Sequence, residues 1–432
     1  MVITVGTILL IMPFSTSDGS WNNPLVALFT STSAVCVTGL VVVDTGTYFS
    51  FWGQLIIACL IQVGGLGYMM MTTFLMLLLG RKFDLSQKFA IQESFDRPFL
   101  LGSNTLVRSI FATTLVFELT GVIILFTVFV PDYEPIKALW LAIFHSVSAW
   151  NNAGFGLFVD NLMSYKGSLR VNLAITGLII FGGIGYQVII ELYFLLVNRI
   201  KNNKEKLDLS LNLQVVISTT FILLIFGWLA FFITESVNPD TLKNLSLTEK
   251  ILTSWFQSVT TRTAGFNSID IGKMTTAGLF ITIGLMFVGG SPSGTAGGIK
   301  TTTLRILSQS TRSVLRGQEE VILYKREIPN PLVLKAIAVM FGSAATVILG
   351  TILISFANPN LDLIEIFFEV VSAFATVGLS TGITAKISAF GQIILVLTMY
   401  TGRIGVLLLI AGILGDSKPS IIKYPKENLL VG

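Results

Sequence analysis

Val37-Thr38-Gly39-Leu40, Asn152-Ala153-Gly154-Phe155, Thr263-Ala264-Gly265-Phe266 and Thr376-Val377-Gly378-Leu379 are four short breaks, each centred on a glycine and each set in apolar sequence. In the first three a carboxylate follows the glycine by five or six residues, as Asp44, Asp160 and Asp270, and Thr384 takes the equivalent place in the fourth. Further on come second glycine clusters: Gly64-Gly65-Leu66-Gly67-Tyr68, Gly182-Gly183-Ile184-Gly185-Tyr186, Gly289-Gly290 and Gly402-Arg403-Ile404-Gly405. Break and cluster are separated by about one membrane span each time. A helix, a re-entrant loop and a second helix, four times over, is a way for one chain to build a pore.

The composition agrees. The chain is 53% hydrophobic and 12% charged, with mean hydropathy +0.79, whereas a soluble globule carries roughly 25% charged residues. Apolar runs at 104–130, 169–198, 210–234, 274–290, 332–357 and 387–414 are each long enough to cross the hydrocarbon as a helix. The expected fold class is an all-α polytopic membrane protein with four parallel helix–pore loop–helix repeats around a central, pseudo-fourfold pore. Met1 to Met12 is shorter than a span and lacks the flanks of a signal peptide; it reads as the end of a truncated first helix. Cys36 and Cys59 make no disulfide framework.

Segments 81–108, 199–206, 300–335 and 418–426 hold nineteen of the 28 basic residues, which places them in the cytosol by the positive-inside rule. The glycine breaks then open outward and the repeats run parallel. The expected units are repeat 1 at 1–80, repeat 2 at 81–206 with a cytosolic or interfacial helix, repeat 3 at 207–327, repeat 4 at 328–414, and a cytosolic tail at 415–432. Short descending helices are expected at 23–35, 136–150, 247–261 and 361–374, announced by Asn22-Asn23-Pro24, Pro135 and the capping box of Ser246 and Glu249. Each spans about half a bilayer, which is tolerated only where the broken backbone faces protein or water. The polar stretches 81–103 and 303–327, the latter with Arg305, Arg312, Arg316, Lys325 and Arg326, read either as solvated linkers or as docking surfaces for an acidic cytosolic partner.

A dehydrated alkali cation needs oxygen ligands in place of its water shell, and four loops presenting backbone carbonyls to one axis supply them. One glycine in an apolar segment is best explained by packing; four in equivalent register point to a selectivity filter, built from Val37, Thr38, Gly39, Asn152, Ala153, Gly154, Thr263, Ala264, Gly265, Thr376, Val377 and Gly378. One shared glycine per loop makes this a short filter. Asp44, Asp160 and Asp270 are placed at the outer mouth, either concentrating cations or serving as loop caps. Arg262 and Arg403 are charges in membrane segments and hence functional candidates. Glu118 is the candidate partner of Arg262. Arg403 acts either as a positive barrier in the conduction path or as a structural ion pair.

Gly289-Gly290-Ser291-Pro292-Ser293-Gly294-Thr295-Ala296-Gly297-Gly298-Ile299-Lys300 cannot continue a helix. At membrane depth it must be a polar loop beside the aqueous path, and a gate built from Gly290 to Gly298 with Lys300 and Arg403 is expected there. It is not a phosphate loop, because Ile299 separates the last glycine from Lys300 and no strand precedes it. His145 is the only histidine, so no multi-histidine metal site exists; a packed or interfacial role is expected for it. No nucleophile–base arrangement is visible, so the chain does not read as an enzyme.

Together the four filter loops, the Gly-Gly-x-Gly-Tyr clusters, the Gly290 to Lys300 loop and Arg403 resemble the superfamily of K⁺ transporters that includes bacterial Trk and Ktr systems and their plant and fungal relatives. Ser33-Ala34-Val35-Cys36-Val37-Thr38-Gly39-Leu40 looks most like the membrane subunit of the Ktr systems. The resemblance covers nearly the whole chain. It implies K⁺ uptake, stimulated by Na⁺, across the bacterial cytoplasmic membrane by a multi-pass protein with a cytosolic C-terminus. It implies K⁺ in the filter as the only bound metal, no covalent cofactor, and a gate at 290–298 opposed by Arg403. It also implies a homodimer on a cytosolic ring of regulatory subunits, with nucleotide bound by that ring and not by this chain; membrane lipid, not nucleic acid, is the other partner. Gly39, where some plant relatives carry serine, goes with K⁺ preference. The competing reading is a K⁺/Na⁺ or K⁺/H⁺ symporter working by alternating access, against which parallel repeats argue.

Overall fold

The computed structural model describes residues 1–67, 103–201, 209–406 and 409. In chain order its helices begin with α1 (Val2–Ile11), α2 (Pro24–Val35), α3 (Thr45–Tyr48) and α4 (Phe51–Leu66). Then come α5 (Ser103–Phe129), α6 (Pro135–Trp150), α7 (Leu169–Ile184), α8 (Tyr186–Ile200), α9 (Leu211–Glu235), α10 (Leu247–Thr260) and α11 (Thr276–Phe287). The last are α12 (Thr301–Leu315), α13 (Asn330–Ala357), α14 (Leu363–Phe374) and α15 (Ala389–Ile404). An outer helix, a short helix, a glycine break and an inner helix thus follow one another four times among the described residues: α1-α2-α4, α5-α6-α7, α9-α10-α11 and α13-α14-α15.

Among the described residues three helices are long and apolar enough to cross a membrane alone: Arg108–Phe129, Leu211–Glu235 and Asn330–Ala357. Their outward flanks expose large apolar side chains, among them Ile123, Phe221, Phe341 and Phe356, as befits hydrocarbon contact. The four short helices α2, α6, α10 and α14 are inside-out by comparison. They bury hydroxyls such as Ser31, Ser33, Ser146, Ser148, Thr260 and Ser372 and lie at the centre.

Their starts follow from local chemistry. The Asn23 side chain accepts from the Leu25 amide ahead of Pro24, Pro135 opens α6, and Ser246 and Glu249 form a complete capping box on α10. Three of their ends share one device. In α2, α6 and α14 the amides of Thr38, Ala153 and Val377 reach back to the carbonyls of Ser33, Ser148 and Ser372. The amides of Val37, Asn152 and Thr376 close the inner ring on Ala34, Ala149 and Ala373. This is a Schellman stop.

The structure corrects the sequence in several places. The run 169–198 is not one span: α7 and α8 meet at 102° across Gly185, which has φ 92°. Its backbone is one that residues with side chains avoid, and a Cβ there would collide with the Pro292 carbonyl. Gly67 and Gly405 likewise end α4 and α15 with positive φ, 79° and 92°. The runs 274–290 and 387–414 likewise give helices that stop at Phe287 and Ile404. At 12 to 16 residues, the inner helices span about 18–24 Å, short of the hydrocarbon thickness. The stretch 303–327 is helical only to Leu315, then turns at Gly317 into a two-stranded hairpin, β1 (Ile322–Leu323) and β2 (Arg326–Glu327). The expected polar helix at 81–103, except Ser103, and the tail 415–432 lie outside the described residues.

Candidate functional site

The four glycine breaks meet. A Cβ on Gly39 would collide with the carbonyl of Ala153, one on Gly154 would lie 2.8 Å from that of Ala264, and those on Gly265 and Gly378 would collide with the carbonyls of Val377 and Thr38. The contacts therefore run from the first break to the second, third and fourth and back to the first. Each glycine faces the oxygen of the residue before the next glycine, which leaves room for no side chain at any of the four. Each glycine also has positive φ, between 71° and 91°.

Two residues before each glycine the backbone is left-handed again, at Val37, Asn152, Thr263 and Thr376, with φ 50° to 67°. Three of these are β-branched, for which this conformation is strained by about 1–3 kcal/mol each. Hydroxyls of the short helices help to hold the strained loops. Ser33 and Ser372 accept from the amides of Gly39 and Gly378 at 3.0 and 3.1 Å. Ser148 and Thr260 donate to the carbonyls of Phe155 and Phe266 at 2.8 and 2.5 Å. These four supports were not singled out in the sequence, although Ser33, Ser148 and Ser372 all stand six residues before their glycine. Because α2, α6, α10 and α14 end at the ring, their C-terminal partial negative charges converge on it, a field that favours a cation.

Above the ring lies a cavity of about 330 Å³ lined by Gly39, Gly154, Gly265 and Gly378 together with Asp44, Asp160 and Asp270. The structure thus brings the candidate filter glycines and all three carboxylates to one vestibule. Each carboxylate is also a local cap. Asp44 accepts from the amide and hydroxyl of Thr47 at 2.8 and 2.7 Å, and Asp160 from the amide and hydroxyl of Ser164. Asp270 accepts from the Gly272 amide and pairs with Lys273 at 3.5 Å. Thr384 also lines the cavity. Beside the vestibule Asp18 and Asp44 share a second hollow; hydrogen bonds from the amide and hydroxyl of Ser20 hold the Asp18 carboxyl below its usual range.

Below the ring sits the loop from Gly289 to Lys300. Its Ser291 and Thr295 amides donate to the carbonyls of Gly183 and Gly182 at 3.0 and 3.2 Å, and Ser293 accepts from the Tyr186 amide. The Thr295 hydroxyl reaches Oδ1 of Asn152 at 3.2 Å. Cβ atoms on Gly297 and Gly298 would meet Thr376 and Ala375. The loop is therefore packed against two of the four candidate filter segments. Lys300 Nζ donates to the Ala296 carbonyl at 2.6 Å, and the Ser291 and Thr301 hydroxyls are 3.0 Å apart, closing the loop on itself. Gly290 and Gly294 lie against the Gly183 carbonyl, with Pro292 between them.

Arg403 enters this arrangement from α15 and donates to two carbonyls, Thr295 and Gly64. Arg262 behaves alike: it is 6% exposed and donates from Nη1 to the Val288 carbonyl at 2.8 Å, where α11 has just ended. The expected pairing of Arg262 with Glu118 is not found. Oε1 of Glu118 instead accepts from Nδ2 of Asn151. A guanidinium at a helix C-terminus can donate to the free carbonyls there without a carboxylate, although the buried Nε of Arg262 has no partner among the described residues. His145 is fully buried, stacked on Phe158 at 4.6 Å.

Residues 3–414 match the family model of TrkH, described as a cation transport protein. The Ktr system potassium uptake protein B of Bacillus subtilis is 39% identical over 433 residues, covering 100% of this chain and 94% of that protein. The protein of the same description from Vibrio alginolyticus is 36% identical, covering 100% and 92%, and the potassium/sodium uptake protein NtpJ of Enterococcus hirae is 35% identical, covering 100% and 95%. The fold is similar to the crystal structure of the potassium transporter TrkH from Vibrio parahaemolyticus. The TM-score is 0.72 and the identity 16%, with 95% of this chain and 81% of that one covered.

Proposed function

The chain belongs to the TrkH family of cation transport proteins, and on that footing we propose that it is a channel-like K⁺ uptake protein of the cytoplasmic membrane. The observation that carries the reading is the closed ring in which Gly39, Gly154, Gly265 and Gly378 face the carbonyls of Ala153, Ala264, Val377 and Thr38. Four backbone oxygens at the floor of an acidic vestibule, backed by four helix C-termini, are a site for a dehydrated monovalent cation. Asp44, Asp160 and Asp270 raise the local cation concentration. Three threonine hydroxyls of the breaks, on Thr38, Thr263 and Thr376, are buried without a partner and are further oxygens available to the ion.

The loop from Gly290 to Gly298 is the gate. Positioned under the second and fourth filter segments, it obstructs the path, and Arg403 holds it there while placing a positive charge beside the route. The four repeats at 1–80, 81–206, 207–327 and 328–414 supply one quarter of the pore each, and the tail is cytosolic. The relatives named as parts of a Ktr system support a regulatory partner; a homodimer seated on a cytosolic ring that binds nucleotide, with Na⁺ as activator, is the assembly proposed.

Purified protein in proteoliposomes, with and without its cytosolic partner, tests this. K⁺ flux that follows the K⁺ gradient, exceeds Na⁺ flux and has no fixed stoichiometry with Na⁺ or H⁺ is expected. A fixed K⁺/Na⁺ or K⁺/H⁺ ratio would establish alternating-access symport instead.

A further inference from the structure

The place nine residues before each filter glycine is taken by Thr30, His145, Phe256 and Glu369. In two of the four short helices that side chain reaches across to the chain leaving the filter. His145 donates from Nδ1 to the Leu141 carbonyl at 2.8 Å, which leaves Nε2 as the acceptor of the neutral ring. It faces the Leu157 amide at 3.4 Å. Oε1 of Glu369 accepts from the Thr381 amide at 3.2 Å. Leu157 and Thr381 both stand three residues after their glycine, so a histidine and a carboxylate perform the same bond at equivalent positions.

Both side chains are fully buried. Glu369 accepts in addition from the hydroxyls of Ser380 and Thr384, and among the described residues it has no ion-pair partner. A carboxylate buried without a cation opposes folding unless donors surround it, and here every donor belongs to the segment just above the filter. His145 is enclosed by Phe129, Phe144, Phe158 and Phe266, which fixes its ring. The other two positions make no such bond: the Thr30 hydroxyl has no partner and Phe256 has no polar atom. In the order of contacts around the ring, the second and fourth segments stand opposite each other.

We propose that His145 and Glu369 are paired positioning residues that clamp the outer ends of two opposite filter segments and thereby set the ring's discrimination between K⁺ and Na⁺. The inference rests on the permeation reading above and deepens it. Where four oxygens must hold a fixed spacing to prefer the larger ion, two segments tied to their own helices act as the rigid pair, and the first and third segments adjust against them.

The test is the K⁺/Na⁺ flux ratio of the full-length protein in proteoliposomes. His145→Phe keeps the aromatic enclosure and removes the acceptor; Glu369→Gln keeps the shape and replaces one acceptor oxygen by a donor. Each should lower the ratio about five- to tenfold, the factor associated with one lost hydrogen bond. Thr30→Val and Phe256→Leu, at the equivalent unclamped positions, should leave it unchanged. A merely structural defect lowers both fluxes in parallel. A parallel loss or an unchanged ratio in both clamp variants overturns the proposal. Should Glu369→Gln not reach the membrane, His145→Phe decides by itself. A wild-type protein without K⁺-selective flux would overturn the permeation reading and the clamp with it.

Discussion

The guanidinium of Arg403, in the last turn of α15, donates to the backbone carbonyl of Thr295, in the middle of the loop that follows α11. With its second bond to Gly64, one side chain joins three of the four inner-helix regions. It needs no carboxylate, because carbonyls freed by the helix breaks satisfy it.

If that bond holds the loop in the path, Arg403→Ala should raise K⁺ flux by about tenfold, equivalent to roughly 1.4 kcal/mol removed from the closed state. Deleting 292–297 should act in the same direction and loosen dependence on the proposed cytosolic ring. Tracer K⁺ uptake into proteoliposomes reads both. Reduced flux with normal membrane insertion would mark these residues as supports of the pore.

Gly39→Ser should weaken K⁺ preference by about tenfold, because the new side chain meets the Ala153 carbonyl and the glycine has φ 90°. The flux ratio decides: transport that persists with an unaltered ratio removes Gly39 from the filter.

Gly402→Ala should act on stability. Its Cβ would collide with the Phe374 carbonyl at the end of α14, as those of Gly64 and Gly182 would with Val35 and Trp150. Such overpacking costs about 1–3 kcal/mol, visible as a lower midpoint of thermal unfolding in detergent. An unchanged midpoint would show that α14 and α15 are free to separate.

Asp44→Asn, Asp160→Asn and Asp270→Asn combined should raise the K⁺ concentration for half-maximal uptake at low ionic strength, and much less at high salt. Asparagine caps nearly as well as aspartate, so the loops should survive. A salt-independent effect would trace to altered loops, not to lost attraction.

Arg312→Glu with Arg316→Glu should weaken copurification with the proposed cytosolic partner, more so as salt is lowered. Both residues are exposed at the end of α12, so the fold should be indifferent. Undiminished binding would move the docking surface elsewhere.

The short helices were legible almost to the residue, since 23–35 and 136–150 begin at cap signals that Asn23 and Pro135 provide. The bend at Gly185 was not, because hydropathy runs on through Ile189 and Ile190 and outweighs the glycine cluster at 182–185 that marks the break. Arg262 could be recognised as a buried charge, but its partner, the Val288 carbonyl, carries no sequence signature. Glu369 was discoverable as an ionisable residue in an apolar helix; its neighbours Phe367, Phe368, Val370 and Val371 concealed it within an average. Asp44, Asp160 and Asp270 line one cavity with the break glycines, a nearness that was legible because spacing from a glycine is short-range information.

The four break segments read Val37-Thr38, Asn152-Ala153, Thr263-Ala264 and Thr376-Val377 before their glycines. An assembly of four identical subunits can change such a segment only in quadruplicate, so every substitution is multiplied. Here each quarter is encoded separately. One quarter can drift, acquire a polar contact or lose one while three remain as they were. That freedom permits one quarter to be revised in small steps, and it lets the third inner helix lead into the long loop from Gly289 to Lys300 where the second resumes as a helix directly after Gly185.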